Sequence, residues 1–538
     1  MSASDAPPPR DLRERLLRPT LPELWTFLAV ALPVLASLIA PLPTVDLAYQ
    51  LRAGDDILAG RGIPSVDTWT FTAAGVAWLD QQWGAQVILA GAFNAAGWTG
   101  LAILRAALVG LVFGLVLLAV RQRQPGLGTR AAAWLALGAF IVAAPALALR
   151  PQLLALACFA GMLALLAGRH RRPRGLWLVP IATILWANLH GSFVLAPVIV
   201  ALAALEDIVG RAPQAPRTVL AAVVVPVATL VTPFGLEAWR YAAGLAIDAE
   251  VRSRVSEWQP TLPTDVPGLL FWASVVGVAV LVAVLVRRGQ SLPWPTAVTL
   301  LAFAALGAVT GRGIAWWPAV AAVAVAGLAV APALAVAPGL AVAPVLAVAP
   351  ALAGARGPAT PSAQPVVPGR RAPAGSLLNS GLAVALIVAA AAALPAWRPI
   401  DPGTGAPTGL LSHAPPGITS ALRAATTETD RVWNPQVWGS WLELAVPAPR
   451  YAFDSRIELI PSAAWADGDI VSAAAPGWEA ILEAYGATVV VVDGSATGEP
   501  LAVALEGAGW TRTYGDEDGS IWSRPASPPV AARLSSRP

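Results

Sequence analysis

Four carboxylates fall close together in VDLAYQLRAGDDILAGRGIPSVDTWTFT, residues 45–72: Asp46, Asp55, Asp56 and Asp67. They follow directly on TFLAVALPVLASLIAPL, an apolar run long enough to cross a bilayer. A carboxylate in such a place can take a proton as a general base or ligate a hard divalent cation. Asp46 stands at the outer end of the apolar run with no basic residue one turn away, where water is scarce and a base is useful. A plain helix-end cap is its competing role. Asp67 comes after Gly60, Gly62 and Pro64, which end a helix and turn the chain back. It is either a helper of Asp46 or an Asx-turn acceptor for Thr68 and Trp69.

The elements that position these acids follow from periodicity. On a 3.6-residue helix, Leu47, Leu51, Gly54 and Leu58 form one stripe, so residues 46–60 are expected to lie in the membrane interface with leucines toward the acyl chains. Arg52 and Asp56, four apart, are expected to pair on the surface, and Asp55 to project into solvent.

The chain as a whole is 56% hydrophobic and 12% charged, with mean hydropathy +0.64 over 538 residues. That balance belongs to a polytopic membrane protein. The net charge of +3 does not point to nucleic acid, because the basic residues sit in short clusters between apolar runs, where they report topology. A single cysteine, Cys158, excludes an intrachain disulfide framework or a thiolate zinc site. All basic side chains other than histidine are arginine.

About eleven transmembrane helices are predicted, near 24–43, 99–120, 131–149, 151–168, 175–189, 191–209, 218–235, 267–286, 291–310, 313–332 and 377–396. With Arg10, Arg13, Arg15 and Arg18 in the cytoplasm, alternation puts RQRQPGLGTR, RHRRPR, GRAPQAPR, VRRGQ and the segment with Arg356, Arg370 and Arg371 on the same side, as the positive-inside rule requires. The first outer loop 44–98, the loop 236–266 and everything after about 397 are then extracytoplasmic. Residues 67 and 454 are expected to be reachable from outside.

The segments are accordingly a cytoplasmic N-terminus 1–23, a transmembrane domain 24–332, a linker 333–376, a last span 377–396 and an extracytoplasmic domain 401–538. The hexads GLAVAP ALAVAP GLAVAP VLAVAP, residues 327–350, place a proline every six residues, which denies a helix its donors, so they read as the start of a low-complexity Ala/Pro-rich cytoplasmic linker. In the tail, RVWN, RYAFDSR, ATVVVVDG, GWTRTYGD and GSIWSRP read as strands, with GWEAILEAYG and PLAVALEGAG as helices, which predicts a small α/β domain. It lacks a phosphate-binding glycine loop. Asp454 and Arg456 of YAFDSR are expected to pair with each other.

The stretch from Val45 through WLDQQWGAQVILAGAFNAAGWTGLAILRA resembles the first outer loop of bacterial polytopic membrane proteins related to the GT-C glycosyltransferase superfamily. Their pattern runs D-x-W-x-H-L-x-x-G, I-P-x-x-D-x-F-S-F-T and W-x-x-x-x-W-L-x-Q. WANLHGSF at 186–193, RGIAWWPAV at 312–320 and VWNPQVWGSWLELAVPAPRYAFDSR are similar to those proteins as well. Here Ala48, Tyr49 and Gln50 replace the aromatic and histidine of the first motif. The resemblance implies an all-α polytopic fold, transfer of a sugar from a polyprenyl-phosphate carrier outside the membrane, and an acid of the first outer loop as base or metal ligand.

Such a reaction needs a carboxylate for the acceptor's proton and fixed positive charge for the departing phosphate. Asp46 and Asp67 are the catalytic candidates. Arg150 in ALALRPQ and Arg312 in VTGRGIAWW lie at outer ends of spans, where a charge is paired, functional or snorkelling. Asn188 and His190 interrupt apolar helix at another outer turn, and these four are the candidate substrate-binding residues. Arg252, Arg254 and Glu257 belong to an outer loop of lid length. Asp46 with Asp67 would suit Mg²⁺ or Mn²⁺, although their separation carries no ligand signature. The expected partners are a lipid-linked sugar donor, membrane lipids and an extracytoplasmic glycan, lipid or protein acceptor. A non-catalytic transporter or assembly protein that keeps the fold is the alternative.

Overall fold

The first apolar helix, Leu21–Ile39, starts on a capping box: the Glu23 N–H donates to Thr20 Oγ1 at 3.4 Å and the Thr20 N–H to the Glu23 carboxylate at 2.7 Å. At its far end the Arg105 guanidinium donates to the carbonyls of Ser37 and Ala40, closing backbone groups that the last turn leaves open. The computed structural model describes Asp11 and residues 17–328 and 375–524. Arg10, Arg13, Arg15, the hexads from residue 329 onward, the linker up to residue 374 with its Arg356, Arg370 and Arg371, and residues 525–538 lie outside the described residues.

An apolar helix is found at each of the predicted spans. Among the described residues six are long and apolar enough to cross a bilayer: Leu21–Ile39, Trp83–Arg123, Thr129–Ala146, Pro151–Gly168, Gly191–Val209 and Val266–Arg287. Shorter apolar helices cover Ala215–Ala228, Trp294–Val309, Trp317–Leu328 and Leu377–Ala392. The helix Trp83–Arg123 is interrupted at Ala96 and Gly97, where Gly97 takes φ 57°, a conformation glycine adopts without penalty.

The chain divides into two compact units. The first comprises Met1–Ala40, Ala102–Ala242 and Val255–Leu394 and holds the apolar helices. Its interior carries an aromatic cluster in which Phe159 meets Trp186, Phe303 and Trp316 with ring centroids 6.0, 5.7 and 5.1 Å away. Its exterior is apolar: Ile181, Val223, Val227, Leu301 and Val384 are all exposed, the surface a lipid phase would cover.

The second unit comprises Pro41–Leu101, Ala243–Arg254 and Pro395–Pro538, so the segment after the first apolar helix folds with the C-terminal region. Strand β1 (Leu42–Pro43) pairs in parallel with β2 (Leu411–Ser412). The strands β3 (Arg431–Trp433), β4 (Arg450–Tyr451), β5 (Val489–Asp493), β6 (Thr511–Gly515) and β7 (Gly519–Ser523) form a sheet of order β4-β3-β5-β7-β6. Strand β5 is buried from Val489 to Val492, as a central strand covered on both faces should be. Each of the five segments read as strands in the tail forms one, and helices Trp478–Ala484 and Glu499–Gly507 lie where predicted. The segment 41–101 extends this sheet: Thr70 bridges Tyr451 in parallel and the Phe71 N–H donates to the Tyr451 carbonyl at 3.0 Å.

The helix carrying Asp46 runs Thr44–Leu58 and packs against Gln436–Ala445. Its leucine stripe behaves differently from the interfacial expectation. Leu47 and Leu51 are buried by protein, and Gly54 meets the next helix so closely that a Cβ there would stand 2.1 Å from the Gln86 carbonyl oxygen. The stripe is therefore a core face, and only Leu58 remains exposed. The period was read correctly, but sequence alone cannot say whether lipid or protein covers an apolar stripe.

Candidate functional site

In the first unit, the residues at the ends of the apolar helices converge. Arg150 is the N-cap residue of helix Pro151–Gly168, and Arg312 lies in the 3₁₀ turn Gly311–Ala315. That turn folds back onto the preceding helix, and a Cβ at Gly313 would lie 2.2 Å from the Leu306 carbonyl oxygen, so glycine there lets the turn close and fixes Arg312. The Glu257 carboxylate bridges the two arginines, 2.8 Å from Arg150 Nη2 and 3.2 Å from Arg312 Nε. Arg312 also lies 4.8 Å from the Trp258 ring centroid, and Gln152 donates to its carbonyl at 3.4 Å. Arg150, Gln152, Glu257 and Arg312 line a cavity of about 330 Å³ together with Gln259 and Asp265. The arginines hold the Glu257 carboxyl below the usual range although burial pushes the other way, so it is ionised at neutral pH.

His190 belongs to the same electrostatic neighbourhood. Burial first, then Arg312 and Arg150, push its imidazole down to about 3. It is neutral, and its Nδ1 accepts the Ser192 N–H at 3.1 Å, which leaves the ring proton on Nε2. Asn188 is used differently: its amide donates to the carbonyls of Ile184 and Val231, both at 2.8 Å, tying one outer turn to another.

In the second unit Asp46 occupies the first turn of its helix, where the dipole favours a negative charge. Next to it the Tyr49 phenol is pushed well above its ordinary value, by burial first and then by the negative charges of Asp46, Glu458 and Asp80. A proton is thus held firmly on the phenol beside the acid.

Asp67 lies in an ion cluster that sequence reading did not assemble. Its carboxylate accepts Arg456 Nη2 at 2.6 Å, the Trp69 and Thr70 N–H groups at 3.3 and 3.1 Å, and the Thr70 hydroxyl at 2.6 Å. It is an Asx-turn acceptor and an ion-pair partner at once. Asp454 accepts the Arg456 main-chain N–H at 2.7 Å and Nε at 2.8 Å and also pairs with Nη2, as the local spacing suggested. The Arg456 guanidinium stands 4.3 and 4.6 Å from the ring centroids of Trp69 and Trp78. Arg52 lies 4.4 Å from Trp69 and 3.7 Å from Glu443, while Asp56 pairs with Arg61 at 2.6 Å, so the predicted Arg52–Asp56 pair is replaced by two others. The buried Glu443 carboxyl is pushed well up, by desolvation and then by Asp454. Asp55 accepts from Asn94 at 3.2 Å. No sequence signal joins Asp67 to Arg456, which are 389 positions apart.

This cluster bears on metal binding. Every lone-pair direction of Asp67 meets a donor, and a cation placed there would face Arg456, so Asp67 does not fit as a ligand. Among the described residues, no group of three or more His, Cys, Asp or Glu side chains is placed to hold a metal ion.

Asp80 offers a pH test. Burial raises its carboxyl to about 7, against the Gln86 amide, which donates to Oδ1 at 2.7 Å. A carboxyl raised above its unfolded value near 4 contributes stability that is complete below about 4 and lost as pH rises through 7. Unfolding of the wild type is expected to become easier between about pH 4 and pH 7 by up to about 4 kcal/mol. Asp80→Asn should flatten that segment of the profile; equal slopes in wild type and variant would refute the assignment.

No family model matches the chain, and no curated protein matches it. Solved structures do. The Archaeoglobus fulgidus oligosaccharyltransferase AglB, in complex with an inhibitory peptide and a dolichol-phosphate, superposes with TM-score 0.56 at 14% identity, covering 94% of this chain and 75% of that one. The apo form of the Archaeoglobus fulgidus enzyme gives TM-score 0.51 at 13% identity, covering 93% and 74%. The chain is a multi-pass membrane protein by its apolar helices, and it shares the fold of these solved structures. The particular proteins whose architecture it shares are these archaeal oligosaccharyltransferases.

Proposed function

We propose that the chain is an integral membrane glycosyltransferase that moves a sugar from a polyprenyl-phosphate-linked donor to an extracytoplasmic glycan, lipid or protein acceptor. The observation that carries this reading is the arginine-lined cavity at the ends of the apolar helices, in a chain with this fold. Arg150 and Arg312 would hold the donor's phosphate, and the neutral His190, with its Nε2 proton, would donate to the same group. Asn188 supports the turn that carries His190. In the transfer the new glycosidic bond forms as the bond from the anomeric carbon to the phosphate oxygen breaks and its electron pair leaves with the lipid phosphate; Asp46, on the second unit, is the candidate base for the acceptor's proton. Asp67 would act through Arg456, by fixing the loop that follows the Asp46 helix. No step is assigned to a divalent cation such as Mg²⁺ or Mn²⁺.

The purified full chain in proteoliposomes, given a polyprenyl-phosphate sugar with a labelled glycosyl group and a membrane extract as acceptor source, should transfer the label. No transfer from any of a panel of polyprenyl-phosphate sugars would favour the transporter or assembly reading. The orientation belongs to the same proposal: about eleven spans, N-terminus cytoplasmic, C-terminal region outside. Asp67 and Asp454 are each only 1% exposed, so cysteines there would be shielded whatever the topology. Glu483, whose side chain is 76% exposed, is the better position. With Cys158 replaced, Glu483→Cys should label in intact cells; labelling only after permeabilisation would reverse the topology.

A further inference from the structure

A carboxylate seated between two arginines at the mouth of a cavity raises a question of purpose. Two guanidinium groups near the membrane surface repel each other and are costly to leave bare. Glu257 gives both of them a counter-charge, with one oxygen on Arg150 and the other on Arg312. A phosphate group presents the same features to these donors, negative charge and several acceptor oxygens, so the two anions ask for one seat.

The surrounding geometry suits an exchange. The main chain of Glu257 is anchored: its carbonyl accepts the Thr310 hydroxyl at 2.9 Å, the Gly311 N–H donates to the Gln259 carbonyl at 3.1 Å, and the Thr261 N–H to the Ala308 carbonyl at 3.0 Å. Its side chain is 38% exposed and borders about 330 Å³ of open cavity, whereas the Arg150 and Arg312 side chains are 15% and 29% exposed. The carboxylate can therefore swing out by side-chain rotation alone while the arginines keep their places.

We infer that Glu257 is a built-in competitor for the phosphate site: its carboxylate occupies Arg150 and Arg312 when the site is empty, is displaced by the phosphate headgroup of the donor, and returns to expel the spent lipid phosphate. This deepens the proposed function and rests on it for the identity of the lipid. Its consequence is weaker binding and faster release than the bare arginine pair would give. Product release limits turnover in many enzymes, so such a competitor has kinetic value.

The test measures binding to the detergent-solubilised full chain, read by tryptophan fluorescence because Trp258 lies under Arg312. The probes are farnesyl phosphate, inorganic phosphate and farnesol. Glu257→Gln and Glu257→Ala should each tighten phosphate binding by about tenfold, and Arg312→Met should weaken it by at least as much, in preparations with unchanged thermal unfolding. A merely structural glutamate would not give tighter binding when removed. Tightening for farnesyl phosphate but not inorganic phosphate upholds the competitor with a lipid source; tightening for both upholds it for the headgroup itself. Unchanged or weaker phosphate binding in both glutamate variants, or equal tightening for farnesol, overturns it. The same preparations assayed for sugar transfer keep the two claims apart. Tightened phosphate binding without any transfer sinks the transferase reading alone, and transfer with unaltered binding in the variants sinks the competitor alone. Where transfer occurs, Glu257→Gln should also raise the sensitivity of the reaction to inhibition by added polyprenyl phosphate.

Discussion

Replacing Arg456 by methionine is expected to destabilise the second unit by about 3–5 kcal/mol, the usual consequence of removing one partner from a buried ion cluster. The variant leaves Asp67 and Asp454, each 1% exposed, without the guanidinium that pairs with both. It also removes the charge that Trp69 and Trp78 flank, worth of order 0.5–2 kcal/mol for each ring. Methionine fills much of the same volume, so the loss reports charge rather than a cavity. Arg456→Lys keeps the charge but loses the planar fork that reaches Asp67 and Asp454 together, and should fall between the two. Limited proteolysis of residues 41–101 and 395–524, with thermal unfolding of the full chain, measures the effect. Resistance equal to wild type in the methionine variant would show that the cluster is not what holds this unit.

The second large effect concerns chemistry. Asp46→Asn should lower sugar transfer by about 10²–10⁴-fold, the range for loss of a positioned general base. The substitution is nearly isosteric, and its expected effect on folding is no more than about 0.3–1 kcal/mol from the helix N-terminus. Asp55→Asn is the matching control, because Asp55 is exposed and holds only Asn94 among the contacts seen. Transfer should persist in that variant. Comparable rates in Asp46→Asn and wild type, with both folded, would remove the base assignment while leaving the arginine cavity intact.

The two effects separate what the acids of the first loop do. In sequence Asp46 stands at the end of an apolar run and Asp67 after the turn formers Gly60, Gly62 and Pro64, yet both read as candidates for the same chemistry. In the structure four donors converge on Asp67, while the Tyr49 phenol near Asp46 is raised by burial first and then by the charges of Asp46, Glu458 and Asp80. A ring of donors keeps the Asp67 carboxylate locked, which suits a scaffold.

The sequence by itself determined the membrane class, the places of the apolar helices, and the strands and helices of the tail, because each rests on short-range regularities: hydrophobic run length, a period of 3.6 or 2, and turn residues between them. It also placed the local Asp454–Arg456 pair. Tertiary structure alone decided which distant residues share an environment. Asp67 meets Arg456 across 389 positions, Arg52 leaves Asp56 for Glu443, the leucine stripe of the first loop finds protein instead of lipid, and Glu257 comes to rest between Arg150 and Arg312. Charge and burial act through space. Their range is a few ångströms in the folded chain and has no fixed length along the sequence, so a carboxylate's role is set by neighbours that no local pattern names.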